Sequence, residues 1–169
     1  MSNLTFSSPG QADERFMRRA LELAAEAGLK GEIPIGAVIV FDKGGGDLAV
    51  VSEAANLKET NADPLGHAEV LAIRAAAEKL GRWRLTGCTL YVTLEPCTMC
   101  SGAIIHSRLD RVVYAATDPK AGAVHSLYQI LGDSRLNHTP VVTAGVLAEE
   151  SSLLLKDFFK ARRSSRPCT

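Results

Sequence analysis

Nowhere does the 169-residue sequence approach the roughly eighteen consecutive apolar residues of a membrane-spanning helix, which excludes a helical membrane protein. Its polar first residues, 1–13, lack the basic-then-apolar layout of a secretory signal, so the expected location is the cytoplasm. Net charge is missing too. The 19 Lys and Arg balance 19 Asp and Glu, so no whole-molecule field draws the protein to nucleic acid or an anionic membrane, and any RNA contact must use local patches. Cysteine is scarce, with four in all. Cys97 and Cys100 stand too close together for a secreted disulfide scaffold, and metal or redox chemistry is the better reading.

What is present is the makings of a core. Hydrophobic residues at 46% and charged residues at 22% describe a globular chain, and the length suits one domain over 1–169, with 1–12 and 164–169 as mobile ends. Phe16, Met17, Ala20, Leu21 and Ala24 recur at helical spacing and predict a helix over 13–28, stopped by Gly28. Apolar runs at 33–41 and 48–51, around the glycine-rich turn 42–47, predict a hairpin. Asp63-Pro64 signals a second helix over 67–80. Strand 88–94, helix 97–107, strand 111–116, strand 140–144 and a closing helix 147–163 follow, with no repeat and no linker. The alternation predicts an α/β fold, a mixed five-stranded sheet covered by helices on both faces in three α/β/α layers; strand order does not follow from it.

Two short segments carry the chemistry: His67-Ala68-Glu69 and Glu95-Pro96-Cys97-Thr98-Met99-Cys100, each opening a predicted helix. On a regular helix His67 and Glu69 lie about 200° apart, yet at a first turn both side chains can lean toward the helix start. Cys97 and Cys100 share a face, and a helix N-terminus favours thiolate over thiol. One imidazole and two thiolates leave a fourth tetrahedral position for solvent, which marks a catalytic rather than a structural zinc. Glu69, beside a ligand and not itself one, is placed to carry protons. Each segment alone has a bland reading: C-x-x-C as a redox pair or half a structural site, H-x-E as a surface accident. Cys88 in a strand core and Cys168 in the tail complete no structural site.

Together the segments form H-x-E…P-C-x-x-C, the signature of the zinc deaminases of cytidine deaminase-like fold. The chain resembles that family, and within it the bacterial tRNA-specific adenosine deaminases, from about Phe16 to Arg163. The likeness is carried by Glu32-Ile33-Pro34-Ile35-Gly36-Ala37-Val38, by Asn56 and Asp63-Pro64, by the run from Thr93 through Glu95-Pro96-Cys97 to Arg108, by Asp118-Pro119-Lys120-Ala121-Gly122-Ala123, by Leu136-Asn137-His138, and by Asp157-Phe158-Phe159-Lys160-Ala161-Arg162-Arg163. The resemblance implies one zinc ion per chain, no organic cofactor, a homodimer, and hydrolysis of the wobble adenosine of a tRNA anticodon stem-loop to inosine and ammonia. It also implies that Asn56 bonds the flipped-out base, that Asp118 and Lys120 meet neighbouring nucleotides, and that Phe158, Phe159, Arg162 and Arg163 guide the loop.

The residues leave other readings open. Adjacent Phe158 and Phe159 point about 100° apart, so one is expected to be buried. From Lys156 to Thr169 five basic residues face one acidic, which suits phosphate contact or a solvated tail. Asn56 has a plain turn role as its alternative, and Trp83 and His138 are assigned only packing or a loop hydrogen bond. The sequence departs from the family in its longer 42–47 hairpin, in His125 where glycine is common, and in Leu65-Gly66 before the histidine. The competing functions are a free guanine or cytosine type deaminase with the same zinc chemistry, and a non-catalytic zinc-binding subunit, against which an intact Glu69 argues.

Overall fold

In the computed structural model, which describes residues 10–164, helix α1 runs Gln11–Leu29. It starts before the predicted residue 13 because the Asp13 carboxylate turns back to accept the Gly10 N–H at 2.9 Å, capping the first turn. Of the ends expected to be mobile, 1–9 and 165–169 lie outside the described residues, while Gln11, Ala12 and Ser164 are helical.

Strands β1 (Gly36–Asp42) and β2 (Leu48–Ala55) form the hairpin. β1 begins three residues later than the apolar run, because Ile35 N–H folds back on the Ile33 carbonyl at 2.8 Å around Pro34. β2 runs four residues past its expected end. It is an edge strand, and polar residues continue its ladder: Glu53 is exposed, while buried Ser52 donates its hydroxyl to the Ala72 carbonyl at 2.8 Å. Then come α2 (Ala68–Leu80), β3 (Cys88–Leu94), α3 (Thr98–Ser107), β4 (Arg111–Ala116), a 3-10 turn at Ile130–Gly132, β5 (Val141–Ala144) and α4 (Ala148–Ser164).

The five strands lie in the order β2-β1-β3-β4-β5. β1 is antiparallel to both neighbours, whereas β3, β4 and β5 are parallel, so the sheet is mixed as expected. Strand alternation sends side chains to two cores. Ala37, Ile39, Leu90, Val92, Val112 and Tyr114 pack against Ala72, Ala76 and Ile104 of α2 and α3. On the other face Val38, Val40, Tyr91 and Val113 pack against Phe16, Met17 and Ala20 of α1. Helix α1 sits so close to β1 that a Cβ on Gly36 would stand 2.0 Å from the Ala20 carbonyl oxygen. Cys88 is buried in β3, as expected of a strand-core residue.

At the start of β4, Arg111 bonds Asp13 through both Nη atoms at 2.7 and 2.8 Å, and the Tyr91 hydroxyl donates to the same carboxylate at 3.0 Å. These bonds fasten α1 to the sheet. Among the described residues no helix is long and apolar enough to cross a membrane.

Candidate metal centre and active site

Parallel β3 and β4 deliver the chain to one edge of the sheet, where α3 begins directly after β3 and α2 begins after the loop that leaves β2. That loop is closed at its base by a bond from Leu57 N–H to the Gly66 carbonyl at 2.9 Å, which brings the end of β2 beside the start of α2. His67 and Cys97 are the N-cap residues of α2 and α3, not their first helical residues. Both have extended backbone, with ψ of 144° and 179°. This corrects the expected helix boundaries of 67 and 97 and removes the difficulty of a 200° separation, since helical angles do not apply to a cap residue.

The imidazole Nδ1 of His67 lies 3.7 Å from Cys97 Sγ and 3.5 Å from Cys100 Sγ, and the three ligand atoms all fall within 4.8 Å of one another. His67 and Cys97 are half-buried and Cys100 is buried. Between themselves the two sulfurs favour a single negative charge. The hydrogen bond from Cys100, helped by His67, pulls the Cys97 thiol down to about 4. The same bond, burial and the Glu69 carboxyl push the Cys100 thiol far up. A divalent cation is what would let both ionise, and a His/Cys/Cys donor set is one that zinc takes.

Glu69, in the first turn of α2, is 4% exposed. Its Oε2 is buried with no hydrogen-bond partner in the protein, and burial raises its pKa above the usual carboxylate range. A buried carboxylate oxygen left without a partner is unusual and fits a site completed by a metal and the water it binds. The donor set and this orphaned oxygen together fit zinc.

The other predicted site residues divide. Asn56, buried at the end of β2, donates Nδ2 to Glu32 Oε2 at 2.9 Å. Half-buried Asp118 and exposed Lys120 stand on the loop after β4, where Asp118 Oδ1 accepts Lys120 N–H at 2.9 Å. Phe158, Phe159, Arg162 and Arg163 lie on the outer end of α4. The expectation that one phenylalanine is buried is met only halfway. Phe158 is half-buried beside Gly28, edge-on to Phe159 with centroids 5.4 Å apart, and Arg162 stacks over it, whereas Phe159, about 100° further round the helix, is exposed. Trp83, expected to pack, is exposed with the Arg84 guanidinium 4.4 Å over its ring. His138 makes a loop hydrogen bond, Nε2 to the Leu109 carbonyl at 2.6 Å. His125 lines a cavity of about 280 Å³ with Thr117, Gly145, Ala148 and Ser152.

Two buried carboxylates frame the site that residue-type reasoning did not single out. Glu32 accepts from Asn56 Nδ2 and from the backbone N–H groups of Glu59 and Thr60. Glu95 accepts from the backbone of Asp118, Val124, His125 and Ser126. Burial alone would raise both pKa values, but these bonds outweigh it and hold both carboxyls below the usual range. The available signal was a charged residue at the border of an apolar strand; its donors lie more than twenty positions away along the chain.

A cytidine deaminase-like sheet with a His/Cys/Cys cluster and a buried glutamate at two helix starts defines the zinc deaminase class. Residues 10–116 match the family described as the cytidine and deoxycytidylate deaminase zinc-binding region. The chain is 49% identical over 91% of its length to the tRNA-specific adenosine deaminase of Haemophilus influenzae, covering 87% of that protein. It is 46% identical over 91% to that of Bacillus subtilis, covering 92% of it. A solved structure from a study of A-to-I editing by tRNA:A34 deaminases at the wobble position superposes with a TM-score of 0.78 at 43% identity, over 83% of this chain and 99% of that one. The guanine deaminase from Nitrosomonas europaea superposes with a TM-score of 0.70 at 26% identity, over 86% and 83%. The chain belongs to the tRNA-specific adenosine deaminases, a branch of the cytidine and deoxycytidylate deaminase zinc-binding family.

Proposed function

We propose that this chain hydrolyses the wobble adenosine of a tRNA anticodon to inosine: water adds to C6, the C–N bond to the amino group breaks, and ammonia leaves. The observation that carries the reading is the convergence of His67 Nδ1, Cys97 Sγ and Cys100 Sγ within 4.8 Å beside a buried, unpartnered Glu69 oxygen. These three atoms hold one zinc per chain. When bound there, zinc supplies the Lewis acidity that makes water nucleophilic near neutral pH.

The rest of the chemistry belongs to the chain. Glu69 carries two protons in turn, the first from the attacking water to the purine nitrogen and the second from the hydroxyl then on C6 to the departing amino group, with its burial keeping bulk water away from the transfers. Glu32, which can only accept, fixes the orientation of the Asn56 amide; Oδ1 and the second Nδ2 proton then face a flipped-out purine. Asp118 and Lys120 meet flanking nucleotides, and Phe159 with Arg162 and Arg163 guides the RNA along the end of α4. The protein works as a cytoplasmic homodimer of a single-domain chain.

Purified protein is expected to form inosine in an anticodon stem-loop and to leave free guanine and cytosine untouched. Ammonia released from a free base, with no inosine in RNA, would replace this reading with the free-base one.

A further inference from the structure

Glu95 takes no part in the metal set or the proton path, yet the loop after β4 is folded around it. Its Oε1 accepts the N–H groups of Val124 at 3.2 Å, His125 at 2.7 Å and Ser126 at 2.8 Å. Its Oε2 accepts Asp118 N–H at 3.0 Å and the Ser126 hydroxyl. The loop closes on this carboxylate so tightly that a Cβ on Gly122 would stand 2.4 Å from Glu95 Cδ and 2.6 Å from the Asp118 carbonyl oxygen. Next along the chain, Pro96 accepts Ala123 N–H at 2.8 Å, and Cys97 bridges Gly122. The same carboxylate therefore sits two residues from a candidate metal ligand and holds the backbone of Asp118 directly.

An exposed loop is ordinarily mobile, and ordering it on binding costs affinity. We propose that Glu95 is a positioning residue for RNA recognition, fixing the 118–126 loop in register with Cys97 so that Asp118 and Lys120 meet the nucleotides that flank a base at the metal. The proposal rests on the reading of the chain as a tRNA deaminase.

Glu95→Gln tests it selectively. If the amide oxygen keeps the three N–H groups of residues 124–126, its NH2 must face Asp118 N–H, donor against donor, and that end of the loop is released. The experiment is a double-mutant cycle with Lys120→Ala on zinc-loaded protein, reading Kd for an anticodon stem-loop and its dependence on salt. In the wild-type background Lys120→Ala is expected to raise Kd about fivefold and to reduce the log–log salt slope by about one. In the Glu95→Gln background, which keeps its zinc, it is expected to raise Kd less than about twofold and to leave the slope unchanged.

A merely stabilising Glu95 would give the same Lys120→Ala loss in both backgrounds, and that result overturns the proposal. So does loss of zinc from Glu95→Gln, or no effect of Lys120→Ala in wild type. If Glu95→Gln does not fold, the same cycle in Ser126→Ala, which removes only the hydroxyl donor to Glu95 Oε2 from the loop side, decides between the two. Wild-type protein that shows the coupling but makes no inosine would sink the deaminase reading alone.

Discussion

Glu69→Gln separates catalysis from folding because of what its side chain lacks. The residue is 4% exposed, where breaking a buried charge pair ordinarily costs several kcal/mol, but its Oε2 has no hydrogen-bond partner in the protein to leave behind. Glutamine keeps the volume, so the stability change should stay within about 1 kcal/mol, a Tm shift of about 4 °C or less for a chain of this size. The contrast is Glu32→Gln. Glu32 accepts three hydrogen bonds, at 2.9, 3.3 and 2.6 Å, and an amide there must set NH2 against at least one donor. That costs about 1–3 kcal/mol, or up to about 12 °C. Turnover should respond in the opposite order to stability in the Glu69 variant. With no group to move protons, inosine formation should fall by about 10²- to 10⁴-fold while zinc stays bound. Calorimetry, zinc content and inosine release from a stem-loop read the three quantities. Turnover within about tenfold of wild type, or loss of the metal, would refute the role assigned to Glu69.

Cys97→Ala should lose zinc, whereas Cys88→Ala, though it empties a buried site, should keep it; equal zinc in both would refute the ligand set. Asp13→Asn should cost about 2–4 kcal/mol at pH 7, discounted because the Arg111 side chain it leaves is 24% exposed. Burial alone would raise the Asp13 pKa, but its bonds from Arg111, Gly10 and Tyr91 hold it below the ordinary value. Its stabilisation is therefore present above about pH 4 and lost as pH falls through the lower folded pKa. The gap between wild-type and variant unfolding free energies should narrow there, and a gap unchanged from pH 7 to about pH 3 would contradict this. Gly36→Ala should destabilise by about 3 kcal/mol or more in urea unfolding, because the new methyl meets the Ala20 carbonyl oxygen at 2.0 Å and the Ala24 nitrogen at 2.9 Å. Gly28→Ala, whose nearest neighbour would lie at 3.4 Å, is the near-neutral control.

The candidate metal set was legible because its members are chemically distinctive and their spacing is short. His67, Glu69, Cys97 and Cys100 lie in two segments whose residue types have few other uses together. The extents of β3 and β4 were legible for a related reason: both are interior strands, buried on two faces, so their apolar runs end where the strands end. At β2 the rule failed, because an edge strand continues in polar residues.

By itself, then, the sequence pointed to a candidate donor set and a candidate proton carrier and laid out the alternation of elements, all of which are local in the chain. Only the tertiary structure decided that His67 and Cys97 are extended cap residues, that Glu32 holds Asn56, and that Glu95 gathers the loop bearing Asp118 and Lys120. Each of these depends on backbone N–H groups or amides brought from more than twenty residues away or on the backbone angles at a helix start, and every residue but proline carries the same N–H. A sequence names side chains; which backbone donors a buried carboxylate will find is settled only when the chain has folded around it.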